Sequence, residues 1–291
     1  MTIIKLLALS SFIILNECYS NSQQQELFIK TTIDIESHTS EKTGLAGFFE
    51  VMLRRFFTFV FLFSAVPIYL IACLSMGLAL TPGIYLFQFI SSLNLEPLFL
   101  RYLTFGIGIA AGYFLYGLSL VFILPTVVFI FRAYPKPSRT SLYSVESYRW
   151  FFHNCMLFII RLSFLDVITP SPVNNLFFKL MGMKIGKKVH INTSYITDPC
   201  LISIGDRTVV GGSATIIAHY GQKGVMIIAP VKIGAKVTIG LRAIIFGGVE
   251  IGEGASVMPN SVVLPKTIIP AGEIWGGVPA QKMDFPAKNL G

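Results

Sequence analysis

Charge is scarce in this 291-residue chain: Asp, Glu, Lys and Arg make up 13% of it, against 53% hydrophobic residues and a mean hydropathy of +0.68. So few charges cannot cover the surface of a wholly soluble protein, and so apolar a chain is not disordered. The net charge of +8 is spread thinly and partly flanks apolar runs, with no basic stripe of the kind nucleic acid requires. It suits an anionic membrane surface instead. The four cysteines, Cys18, Cys73, Cys155 and Cys200, lie far apart with no CxxC pair. That excludes a thiolate zinc pattern and a disulfide framework, and makes a reducing compartment the default.

What the chain has in abundance divides near Pro170. Upstream it is apolar and aromatic; downstream it is rich in Gly, Ile and Val with a short period. Thr169-Pro170-Ser171-Pro172 joins the two parts. Residues 1–20 contain a 10-residue apolar core, Leu6 to Leu15, behind Lys5. It is too short to span a bilayer and reads either as a signal peptide or as an uncleaved apolar segment. Residues 21–50 begin as a polar connector. The expected transmembrane region, 51–140, holds two apolar runs, Phe56 to Ile90 and Leu103 to Phe131. The first is broken by Pro67, Pro82 and Gly83, and is either one long tilted helix or a tight helical pair. The second carries no ionisable acid or base, as hydrocarbon burial demands.

Arg54 and Arg55 precede the first run; Arg132, Lys136 and Arg139 follow the second. The positive-inside rule then puts both flanks, and the C-terminal domain, in the cytoplasm. Between 146 and 169, Trp150, Phe151, Met156 to Ile160 and Phe164 alternate with Arg149, His153 and Arg161, which predicts an amphipathic helix lying in the interface. A third, short span is the alternative.

From Ile227 a large apolar residue recurs every sixth position, through Ile233, Ile239, Ile245, Ile251, Val257, Val263 and Ile269 to Trp275. The same period appears at Ile185 and Ile191, and at Ile204, Val210 and Ile216. Small or β-branched residues such as Val237, Ala243 and Val249 fall four positions later. Three such units close a triangular coil of 18 residues, with large side chains on its axis and small ones at its corners. Coils then stack by parallel strand pairing. This pattern predicts a parallel β-helix over 175–285. It excludes an α-helix, whose period is 3.6, and an ordinary sheet, whose period is two. The period slips at Ile191 to Ile204, around Asp198-Pro199-Cys200, and again at Ile216 to Ile227, around His219. Slips of this kind mark loops on one face of a repeat.

These repeats resemble the hexapeptide-repeat acyltransferases, and the resemblance implies a left-handed coil. The ending Gly277-Val278-Pro279-Ala280-Gln281-Lys282 is similar to the G-x-P-A-K close of sugar and antibiotic O-acetyltransferases, with Gln inserted. Asn175 to Gly186, Ile204-Gly205-Asp206 and Ala218-His219 resemble the membrane-attached C-terminal region of poly-lysine-synthetase-type peptide synthetases. The adenylation and carrier domains of those synthetases have no counterpart here.

By this resemblance, His219 is the general base at a site between subunits of a homotrimer. Acyl-coenzyme A is the co-substrate, with no permanently bound cofactor. The resemblance also implies that Arg242 and Lys282 face coenzyme A phosphates, with Gly277, Pro279 and Ala280 along its pantetheine arm. Asp198 and Asp206 are candidates for orienting His219 or the acceptor. His190 and His219 alone in the repeat domain do not furnish the three-His zinc site of a carbonic anhydrase on this fold, so no metal is expected. Two functions follow: a membrane-anchored acyltransferase moving an acyl group from a coenzyme A or carrier-protein thioester to a hydroxyl or amine, or a non-catalytic trimeric scaffold. A transporter is disfavoured, because the apolar runs carry almost no charge to mark a pathway.

Overall fold

Every sixth side chain of the repeat turns inward, and this closes the C-terminal third of the chain into a stack of triangular coils. The computed structural model describes residues 44–284 except 94, 142–143 and 223–224. The signal-like segment 1–20 and most of the connector lie outside the described residues.

The N-terminal part begins with α1 (Gly44–Arg55) and α2 (Phe57–Ser92), the latter one continuous 36-residue helix with Pro67 and Pro82 inside it. At 1.5 Å per residue it is about 54 Å long, well beyond a hydrocarbon core of about 30 Å. A short connection with a cis Glu96-Pro97 bond leads to α3 (Leu98–Ile130), which packs against α2. Gly83 and Gly112 form the crossing: a Cβ on Gly83 would stand 3.1 Å from the Gly112 backbone. Such small-residue crossings let helices approach where no hydrophobic effect drives them together. Leu62, Phe63, Leu70, Leu74 and Tyr85 of α2 are exposed, so its outer surface is apolar.

After α3 comes strand β1 (Ser138–Ser141), then α4 (Val145–Ile160), capped by the Ser144 side chain accepting from the Ser147 N–H and continued by a π-turn and a short helix to Ile168. Segment 146–168 is the third helix long and apolar enough to cross a membrane, after 62–92 and 98–130. Its Met156, Leu157, Ile160, Phe164 and Leu165 are fully buried, while Leu162 and Val167 are exposed. Both ends of one face meet the β-helix. Asn154 bonds Asp198, and twelve residues on, Asp166 accepts from Ser194 while Arg161 lies over the Tyr195 ring. The other side meets α3, where Phe164 packs on Gly117 and Tyr113 donates to the Ser163 carbonyl. α4 is therefore enclosed between α3 and the coils.

Helix α5 (Pro172–Leu180) then plugs the first coil with Phe177 and Phe178, both fully buried. The coil faces form three parallel sheets. The first runs β2 (Lys184–Ile185), β5 (Ile202–Ile204), β10 (Val231–Ile233), β13 (Glu250–Ile251) and β16 (Ile268–Ile269). The second runs β3 (His190–Ile191), β6 (Val209–Val210), β11 (Thr238–Ile239), β14 (Ser256–Val257) and β17 (Ile274–Gly276). The third runs β4 (Ile196–Thr197), β7 (Thr215–Ile217), β12 (Ile244–Ile245) and β15 (Val262–Val263). Strand β18 (Gln281–Lys282) turns back antiparallel on β17 and closes the stack.

Ile233 pairs with Ile251 and Ile239 with Val257, the 18-residue register that the period requires. One coil is longer by 11 residues, because Ile204 pairs with Ile233 and Ile216 with Ile245. The surplus is a hairpin, β8 (His219–Gln222) and β9 (Val225–Ile228), extended to three antiparallel strands by β1. Ile227, which the period counts as the first rung of the long series, is thus no coil residue. It pairs with Tyr220 and Arg139 in this small sheet, and the series starts at Ile233. An apolar strand residue that happens to stand six positions before the first true rung, Ile233, satisfies the same spacing by chance.

A Cβ on Gly117 would come within 2.1 Å of the Phe164 ring. Gly117→Ala therefore prises α4 from α3 at a cost of about 1–3 kcal/mol. Thermal unfolding of the detergent-solubilised protein reads this as a lower Tm, partly restored by Phe164→Leu.

Candidate active site

The two irregularities of the repeat meet in space. At the first slip the chain turns through Asp198, whose φ of +55° lies in the left-handed region that Asp tolerates better than most residues, into a 3-10 turn at Pro199–Leu201. At the second, His219 leaves the coil as the first residue of β8, with the Ala229 N–H donating to the Ala218 carbonyl (2.9 Å) to pin the hairpin base. This brings the His219 Nδ1 to 2.5 Å from Asp198 Oδ2. The carboxylate is fully buried, whereas the imidazole keeps 22% of its side-chain surface exposed.

Burial alone would push the Asp198 carboxyl up. The His219 charge and the hydrogen bonds from His219 and Asn154 outweigh it and hold the group below the usual carboxylate range. Asp198 is therefore the acceptor and Nδ1–H the donor, and this bond fixes the tautomer. The remaining lone pair of the ring sits on Nε2, to which no side chain among the described residues bonds. Trp150 Nε1 is 3.3 Å from the same Nδ1, with the two rings edge-on at 74° and 4.8 Å between centroids. One nitrogen cannot donate to Asp198 and accept from Trp150. The shorter, charge-assisted contact prevails, so Trp150 acts as a wall beside the imidazole.

Three partners escaped sequence reasoning. Trp150, read as part of an amphipathic stripe, and Asn154, which the sequence did not single out, are one turn apart on α4, with no local signal linking them to His219, 69 positions away in the case of Trp150. Gly247 is the third: a Cβ there would stand 3.1 Å from the His219 backbone nitrogen, so the following coil can pass beside His219 only as glycine. Its neighbour Gly248 has a φ of +81° and continues the turn. In the sequence these two resemble any coil-corner glycines.

The remaining candidates lie elsewhere. The Asp206 side chain accepts from the Lys187 N–H at 2.7 Å, a turn contact with no link to His219. Arg242 sits exposed at a coil corner with a φ of +55°. Lys282 pairs with Glu273 at 2.8 Å on the surface, where solvent screens the contact. Gly277 adopts a φ of +97°, its N–H donating to Ser261 Oγ, and a cis Val278-Pro279 bond follows. The Ala280 N–H donates to the Val262 carbonyl at 2.8 Å. This segment lies over the last coils, away from the Asp198–His219 pair in the chain's own fold. His190 is exposed, and His153 is fully buried beside the Tyr134 ring.

Residues 230–265 match the family described as "Hexapeptide repeat of succinyl-transferase". The delta-poly-L-ornithine synthetase of Acinetobacter baumannii is 30% identical over 118 residues, covering 40% of this chain and 9% of that protein. YvoF of Bacillus subtilis, classed provisionally as an acetyltransferase, is 35% identical over 109 residues, covering 36% of this chain and 62% of its own length. The chain thus spans less than two thirds of the curated relatives it matches. A hexapeptide-repeat-containing acetyltransferase from Vibrio cholerae superimposes with a TM-score of 0.36 and 21% identity, over 46% of this chain and 91% of its own. Residues 230–265 of this chain thus carry a repeat of the kind that family describes, and the two relatives similar to this part of the chain differ widely in length.

The depressed Asp198 carboxyl gives an acid limb to stability. A carboxyl whose folded value lies below its unfolded value of about 3.9 contributes stability above that pH and loses it as the pH falls through the folded value. Denaturant unfolding followed from pH 6 downwards should hold this contribution to about pH 4 and lose it at lower pH, and Asp198→Asn should remove that part of the loss.

Proposed function

We propose that the chain is a membrane-anchored acyltransferase that uses His219 as general base and acyl-coenzyme A as donor. The observation that carries this reading is the Asp198–His219 pair, at 2.5 Å, with Nε2 left open. Asp198 holds the ring with its proton on Nδ1. Nε2 takes the proton of an acceptor hydroxyl or amine as its oxygen or nitrogen attacks the thioester carbonyl. The carbonyl π electrons move to oxygen, where backbone N–H groups of a coil turn support the oxyanion. Collapse of the tetrahedral adduct breaks the C–S bond and expels the thiolate, which recovers the proton from the imidazolium. Acyl acceptor and free thiol leave, and no net proton is consumed.

Relatives of the hexapeptide-repeat kind support the donor class, and the basic Arg242 and Lys282 suit its phosphates. A homotrimer of coils, with the site at its subunit boundary, follows from the family resemblance. In this reading α2 and α3 anchor the chain in the bilayer, and α4 lies at the interface beneath the coils. Enclosure of α4 between α3 and the β-helix favours that placement over a lipid-surrounded span. Arg55, Arg132 and Lys136 near the ends of these helices, with Arg139 in β1, favour a cytoplasmic β-helix, where coenzyme A is available. A scaffold that only trimerises has no use for a buried carboxylate against an exposed imidazole, whose desolvation is costly.

His219→Asn retains a donor towards Asp198 and removes the base. Acetyl transfer from acetyl-coenzyme A to the protein's acceptor should fall by about 10²–10⁴-fold, the usual contribution of a positioned base, with unfolding unchanged. Calorimetry of the purified protein should detect saturable acetyl-coenzyme A binding that weakens in Lys282→Ala. Undiminished transfer in His219→Asn removes the catalytic assignment, and absence of binding to folded protein leaves a carrier-protein donor or the scaffold.

A further inference from the structure

The acid–base pair belongs to the coils, but the groups that orient it come from the apolar part of the chain. Asn154 and Trp150 are four residues apart and share a face of α4. Asn154 Nδ2 donates one hydrogen to the Trp150 carbonyl at 3.0 Å and the other to Asp198 Oδ1 at 2.9 Å. The amide can stand only this way round. Turned over, its carbonyl oxygen would face both a backbone carbonyl and a carboxylate, two acceptors with no proton between them. Asn154 Oδ1 is itself buried without a hydrogen-bond partner, so the amide keeps this orientation at the expense of an unsatisfied acceptor. Asp198 is thereby gripped at both oxygens, Oδ1 by Asn154 and Oδ2 by His219, and cannot rotate about its terminal torsion. Trp150, edge-on to the imidazole, blocks the ring on one side.

We propose that α4 is a working part of the catalytic site: Asn154, anchored on the Trp150 carbonyl, is a positioning residue that fixes the Asp198 carboxylate and so keeps the His219 proton on Nδ1. The consequence rests on the reading of His219 as the base, since only the Nδ1–H tautomer leaves Nε2 free to accept a proton. A free neutral imidazole prefers the other tautomer, with its proton on Nε2, where it is useless as a base. The preference is reversed by a carboxylate held in one plane, and that plane is set by a side chain of the membrane part. The β-helix therefore carries the reacting groups, and the apolar helices carry the constraint that makes them effective.

The test reads the tautomer directly. Full-length protein labelled with ¹⁵N-histidine, in detergent micelles, gives ¹H–¹⁵N correlation patterns that distinguish the two neutral forms, and the signal lost in His219→Asn identifies the residue among the four histidines. In the unaltered protein, His219 should be the Nδ1–H form. In Asn154→Leu, which keeps the volume and loses the donor, and in Asn154→Ala, the Nε2–H form should become the major one while unfolding shows a cooperative folded state. A merely structural role for Asn154 would change stability and leave the tautomer alone. An unchanged tautomer in folded Asn154→Leu, or an Nε2–H form in the unaltered protein, overturns the proposal. Failure of the base reading looks different, because His219→Asn would then transfer acetyl groups as well as the unaltered protein, whatever the tautomer does.

Discussion

A carboxylate with no exposed surface is the constraint around which this molecule is arranged. An ionised group out of water is tolerated only when each of its oxygens is bonded, and Asp198 has two partners from two different parts of the chain. His219 comes from a hairpin inserted in the coil, and Asn154 from a helix of the apolar half. The same pairing that makes the burial tolerable fixes the distance between the apolar helices and the coils. A shift of α4 along the β-helix would strand the carboxylate, so the helix is held in register more firmly than its apolar contacts alone would require. Asp166 with Ser194 and Arg161 with Tyr195 secure its far end.

The hairpin β8–β9 is the second device. In a stack of 18-residue coils, each residue beside the axis is covered by the coils above and below, and an outward side chain at a corner is merely exposed. An insertion of 11 residues at one corner breaks that uniformity: it lifts His219 out of the wall while Ala218 and Ile216 remain buried. Strand β1, immediately after the second long helix, pairs with β9 and keeps the hairpin from swinging free. Gly247 of the next coil lets the chain pass close to the raised backbone. The site thus owes its geometry to two interruptions of a regular fold, the turn at Asp198 and this hairpin, and the regular coils on either side supply the rigidity.

Much of this was legible in the residues. The rungs Ile233 to Ile269 pair in the register that their spacing dictates, because period six is a direct imprint of side chains pointing at one axis. The slips at Asp198 and His219 fall where the chain leaves the regular coil, at a 3-10 turn and at the base of a hairpin. The content of the interruption was not legible. Ile227 keeps the beat of the coil yet lies in an antiparallel strand, and periodicity cannot separate the two when an apolar residue falls on the same count. Trp150 and Asn154 were hidden for a different reason. Their partners are 44 to 69 positions away in sequence, and a hydrophilic residue on an apolar helix reads as the solvent-facing stripe until the β-helix is laid over it. Asp206 shows the converse: an acidic residue in the repeat draws notice as a candidate, and its carboxylate is occupied by the Lys187 N–H of the adjoining turn.

The placement of α4 reconciles its composition with its surroundings. By length and hydropathy it matches the two helices before it. A helix surrounded by lipid, however, would have to face its polar atoms into a bundle of its own kind. Here His153 and Asn154 are buried, Asn154 against a carboxylate of the β-helix, while Phe164 lies in the notch left by Gly117 of α3. A segment apolar on one side towards α3 and polar on the other towards the coils behaves as the inner layer of a three-layer sandwich. Its hydropathy reflects burial in protein as much as affinity for lipid. In the proposed arrangement that layer is the joint between bilayer and enzyme, and the tautomer of one histidine depends on how tightly the joint is closed.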